Sequence, residues 1–198
     1  MTSTPRALLA AALVVSAFAS AHAASPAAAL VAEWRRALDA DRIDEALALL
    51  ERAAAADAND PAALAWLGSA QVRKARSVPP MDGASWVKRG FDTLDEAVER
   101  FPDAFVGYLV RGITATNVPE MFNKRDVAVK DLRAVLTMRE KNAQAVPDAV
   151  MPVVYLSLGH AYKKAGKTVD ARAVWEQGRR AHPEAPEMKT IENELKRL

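Results

Sequence analysis

The sequence predicts an all-α protein of closely packed helices, and two observations carry that prediction. The first is composition. Of 198 residues, 51% are hydrophobic but only 6% are aromatic. Alanine inflates the apolar fraction, and alanine is the best helix former. Such a chain favours helices in close contact over a sheet sandwich, and it is long enough for one core but not for two large ones. The second observation is a stretch near the C-terminal end, YLSLGHAYKKAGKTVDARAVWEQGRRAHPEA. In it Leu158-Gly159, Tyr162, Gly166, Ala171, Trp175, Gly178 and Pro183 stand at intervals that return, more loosely, upstream.

From Pro152 the chain reads Tyr155-x2-Leu158-Gly159-x2-Tyr162, then Ala171-x3-Trp175, then Pro183, and the match runs 34 residues to Ala185. This resembles the tetratricopeptide repeat, a helix–turn–helix unit of about 34 residues. Tyr155 stands where Trp is usual and Trp175 where Phe is usual. The spacing has a physical reason. Gly159 and Ala171 are small where helices approach, while Leu158, Tyr162 and Trp175 fill the space between them. Gly166 can take a positive φ at the turn, and Pro183 cannot continue the second helix. The resemblance implies an α-solenoid of about four antiparallel helix pairs, each stacked on its neighbour.

The elements follow in order. Arg6, the apolar run Ala7 to Ala19 and Ala21-His22-Ala23 form a secretory signal peptide over 1–23, with cleavage expected after Ala23. The run is short for a membrane span, which needs about 20 apolar residues, and no later stretch is apolar enough to cross. The mature chain, 24–198, reads as one domain. Its first repeat, 27–60, keeps Ala46-x3-Leu50 and Ala53 but has Glu33-Trp34 where Leu-Gly belongs, as befits an end unit. The second, 61–104, carries Leu64-x2-Leu67-Gly68-x2-Gln71 and Gly90-x3-Leu94, with an insertion at its turn. That insertion predicts a longer turn and a lengthened second helix, with Trp86 on the core face; the alternative is a basic, aromatic rim that engages an acidic partner or anionic head groups. The third, 105–151, carries Tyr108-x2-Arg111-Gly112-x2-Ala115 and Ala128-x3-Leu132. Its loop predicts a helix end at Asn117, Met121 and Phe122 as either a hydrophobic plug or an exposed anchor for a partner, and Asn123 as the next cap. The fourth is 152–185. The tail, 186–198, places Met188, Ile191, Leu195 and Leu198 at helical spacing and reads as a capping helix.

Charge and chemistry exclude several functions. The chain has no cysteine, so no disulfide framework, thiolate site or lipidated cysteine is expected. Removing the signal takes one of 27 basic residues and none of 25 acidic ones, leaving a nearly neutral chain. Both signs are interspersed, so no nucleic-acid partner is expected. His160 and His182 lack a second ligand at helical spacing, which argues against a metal. No positioned acid–base pair, phosphate-cradling glycine loop or nucleophile elbow is visible. The expectation is a protein with no catalytic residues and no cofactor.

The resemblance further implies that a ligand lies in the groove lined by the first helix of each pair. Its inward positions here are Ala65 and Ser69, then Leu109, Ile113 and Thr116, then Leu156, His160 and Lys163. Ala65, Leu109 and Leu156 do not match the Lys and Asn of relatives that clamp a C-terminal carboxylate, so no such clamp is expected. Affinity would come from Leu109, Ile113 and Leu156, with Arg73, His160 and Lys163 orienting a protein or peptide partner. The same three apolar residues would serve equally well as core. The expected function is a non-catalytic scaffold in the periplasm, or secreted. The rival is a small-molecule or lipid-binding accessory of an envelope transport system, with the insertions roofing an apolar pocket.

Overall fold

A computed structural model describes residues 42–198. The signal segment and the part of the first repeat before residue 42 lie outside the described residues. Among the described residues there are eight α-helices, three short 3-10 turns and no strand. They form two compact units, 42–111 and 112–198, with the division falling inside one helix.

The unit 42–111 contains α1 (Ile43–Ala56), α2 (Pro61–Lys74), α3 (Pro80–Arg100) and the start of α4 (Phe105–Asn117). Helix α2 starts where the sequence dictates. The Asp60 carboxylate accepts from the amides of Ala62 (2.8 Å) and Ala63 (3.3 Å), with Pro61 at the first helical position, a cap worth about 1 kcal/mol. Leu50 and Ala53 of α1, Ala63 and Trp66 of α2, and Phe91 and Leu94 of α3 are buried. Helices α2 and α3 cross on two glycines. A Cβ on Gly68 would lie 2.8 Å from the Gly90 carbonyl oxygen, and one on Gly90 would lie 2.6 Å from that of Gly68. Beside this crossing the Thr93 hydroxyl donates to Gln71 Oε1 at 2.8 Å.

The insertion lengthens the second helix of this pair. A 3-10 turn over Ala75–Ser77 follows α2, and Pro80 opens α3, which runs 21 residues against 14 for α2. Trp86 departs from expectation. It is half-buried, with the Arg89 guanidinium 5.3 Å over its ring. The inward stripe is Val87, Phe91, Leu94 and Val98, so Val87 takes the core place one residue along.

The unit 112–198 contains the end of α4, then α5 (Arg125–Lys141), α6 (Met151–Lys164), α7 (Thr168–Ala181) and α8 (Glu187–Leu195). Trp175 has no exposed surface, and its indole N–H donates to the Leu156 carbonyl at 3.1 Å. It fills the place that Gly159 vacates, where a Cβ would come 2.0 Å from the indole nitrogen. Gly178 returns the arrangement, since a Cβ there would lie 2.6 Å from Tyr155 Cβ. The α6–α7 turn closes as its sequence suggests. Gly166 has φ 75°, and the Lys167 amide bonds back to the Tyr162 carbonyl at 2.9 Å, the pattern of a glycine-terminated helix.

The longer loops are held by specific contacts. Arg139 binds the carbonyls of Ala143 and Val146 and the Asp148 carboxylate, pinning the α5–α6 connection over buried Val146 and Val150. Between α4 and α5, Met121 is 84% exposed and Phe122 only half-buried, so Met121 is no plug. Asn123 is not the cap of α5. It takes a left-handed φ of 51° and closes the 3-10 turn Glu120–Phe122, a conformation asparagine tolerates better than most residues. The last helix, α8, lays Met188 and Ile191 against α6 and α7.

Candidate binding surface

Each proposed partner-binding residue has a definite place. Arg73 is half-buried in the last turn of α2, where a cation complements the helix end. Leu109 in α4 is fully buried and Leu156 in α6 is 6% exposed. Both side chains are buried, as the reading of them as core anticipates. Letters alone cannot distinguish a groove wall from an interior. Ile113 stays half-buried on α4.

His160 and Lys163 keep some exposure but are already engaged. Glu194 of α8 accepts a hydrogen bond from Lys163 Nζ at 2.7 Å, lies 4.0 Å from His160 Nε2, and has Arg197 3.9 Å away. Burial pushes the Glu194 carboxyl up, but the Lys163 hydrogen bond and the neighbouring positive charges outweigh it and hold it below the usual range. The imidazole of His160 stands edge-on to Trp175, with ring centroids 5.5 Å apart. Burial lowers its pKa, Glu194 opposes that, and Lys164 and Lys163 add to it. The ring is therefore neutral at pH 7.

Sequence reasoning assigned α8 only a packing role and missed Glu194. A signal was present: Glu194 lies three residues after Ile191, on the flank of the buried stripe, where a carboxylate suits the Lys163 ammonium. Elsewhere the acidic residues of α3 act as surface charge. Asp92 pairs with Lys88 at 2.7 Å, Glu96 with Arg100 at 2.7 Å and Asp95 with Arg111 at 2.8 Å. Among the described residues, no three His, Cys, Asp or Glu side chains gather so as to hold a metal ion. None of their helices is long and apolar enough to cross a membrane.

Three crossings share one register. Gly68 faces Leu94, Gly112 faces Leu132 and Gly159 faces Trp175, so the second, third and fourth helix pairs are versions of one unit. A solved structure, that of a thermophilic TPR protein in Thermus thermophilus, superposes with a TM-score of 0.62. The match is at 20% identity and covers 85% of this chain and 80% of that one. The chain has the tetratricopeptide-repeat fold. No family model matches it, and no curated protein does. This fold explains the recurring Leu-Gly, Ala and Pro positions as one repeated helix-pair pattern.

Proposed function

We propose that this tetratricopeptide-repeat protein is a non-catalytic scaffold that binds a protein or peptide, exported to the periplasm by a cleavable signal over 1–23. The observation that supports it most is the repeated helix-pair fold, whose stacked units offer extended surface rather than a reaction centre. With Leu109 and Leu156 in the core, the partner-facing set reduces to Arg73, Ile113, His160 and Lys163. On α6 the partner meets a charged network, so an acidic or hydrogen-bonding segment suits it better than a purely apolar one.

The lipid-binding alternative requires an enclosed apolar chamber. One cavity in the unit 112–198 mixes Arg133, Asp170 and Arg180 with Leu136, Leu158 and Val174, so its wall is not the purely apolar one that a lipid chamber needs. The test is capture of the mature chain from the periplasm of its own host, with mass spectrometry of both proteins and small molecules. A stoichiometric protein lost on Ile113→Glu with Lys163→Glu, at unchanged helicity, is the expected result. A retained lipid without protein, or the tagged protein recovered only from the cytoplasm, would overturn the reading.

A further inference from the structure

We infer that the unit 112–198 carries a binding site for a small carboxylate, in the recess bounded by the end of α4, the start of α5 and the end of α6. The recess exists because three buried positions end at Cβ: Ala115, Ala128 and Ala161. They leave a cavity of about 260 Å³. At roughly 30 Å³ per water, that is room for a four- or five-carbon acid or a glutamate side chain, and too little for a drug-sized ligand.

The walls select for charge. Lys124, Arg125 and Lys164 line the recess, against the single carboxylate of Glu120. In a chain whose charges otherwise nearly cancel, three cations to one carboxylate around a concave surface is a local excess. Lys164 is fixed there by donating to the Thr116 carbonyl at the end of α4. Glu120 shows that the wall accepts a carboxylate: it lies 2.5 Å from the Arg125 guanidinium. That pair is weakly held, since the Glu120 side chain is 71% exposed and that of Arg125 43%, and solvent screens such pairs. An incoming carboxylate can replace Glu120 on Arg125 while its methylenes rest on the alanine floor. This site is independent of the scaffold reading, because a free acid could fill it with no protein partner.

The test is an amide-resolved NMR titration of the isotopically labelled protein at low ionic strength. One probe is succinate. The other is acetyl-Gly-Glu-Gly amide, whose only carboxylate is a side chain. Saturable shifts centred on Thr116, Lys124, Arg125 and Ala128 are expected, with none from neutral succinamide. Lys124→Gln with Arg125→Gln should weaken binding about ten-fold or more, the loss expected for charge-assisted hydrogen bonds. Glu120→Gln should strengthen it, because the competing carboxylate is gone. Response to succinate alone identifies a free acid as occupant, and response to the peptide alone identifies a partner side chain. The inference is overturned by no saturable response to either probe, by shifts spread over all surface cations, or by unchanged affinity in the double variant.

Discussion

Helices α2 and α3 cross on two glycines, whereas α6 and α7 cross on a glycine and a tryptophan. The register is the same, with Gly68 over Leu94 and Gly159 over Trp175. What differs is the thing that fills the gap. In the second pair backbone meets backbone, because Gly90 stands where later pairs have Ala128 and Ala171. In the fourth, the indole of Trp175 occupies the space and donates to the Leu156 carbonyl. One register thus supports two solutions: small residues with backbone against backbone, or a large ring packed over the glycine. The first relies on an immovable backbone, the second on a side chain that can be exchanged.

The largest expected effect is on the ring. Trp175→Ala should cost about 3–5 kcal/mol by leaving a buried void, read as a fall in the urea midpoint; a loss under about 1 kcal/mol would mean the ring is not the keystone of α6–α7. Next come the glycines. Gly90→Ala and Gly159→Ala should each cost about 1–3 kcal/mol through overpacking, and a double-mutant cycle separates them. Trp175→Leu should relieve most of the Gly159→Ala penalty, since the clash is with a side chain. Val72→Ala should leave most of the Gly90→Ala penalty, since the Gly68 carbonyl still blocks the Cβ. Equal relief in both cycles would end the distinction.

A smaller effect belongs to the turn. Gly166→Ala should cost about 1–2 kcal/mol, because φ 75° is strained for a residue with a Cβ. Calorimetry showing no change would mean the turn has relaxed. The smallest effect is with pH. His160 has a lowered folded pKa, so the unfolded chain binds its proton more readily, and the stability it contributes is present above its unfolded pKa and lost as pH falls through the folded value. Glu194 acts in the same sense at lower pH, since its folded pKa is also depressed. The melting temperature should therefore fall on mild acidification, and less so in His160→Phe. An identical fall in that variant would assign the effect to other groups.

The fourth pair was legible because its packing is local: Gly159, Gly166, Trp175 and Pro183 lie within one short stretch and each has a steric reason. The lengthened α3 was legible too, from Pro79-Pro80 and the spacing beyond it. Trp86 was misplaced by one step, because Trp86 and Val87 both fit a helical stripe and only packing decides which points inward. Leu109 and Leu156 carry the same letters as a groove wall. Their burial shows only in three dimensions. Glu194 lies 31 residues from Lys163, and pairing across that distance leaves no periodic trace. The carboxylate recess depends on what three alanines lack, and a missing side chain has no motif.

The unequal helices of the second pair carry a practical consequence. Helix α3 has 21 residues and α2 has 14; at about 1.5 Å per residue, α3 is about 10 Å longer. The connection beside this overhang holds exposed Arg76 and Ser77, while the Gly68–Gly90 crossing lies eight residues before Arg76 and fourteen after it. Trypsin should nick the chain after Arg76 without parting the two helices. The halves should then elute together and separate only in denaturant, which makes this junction a natural place to split the protein into complementing fragments.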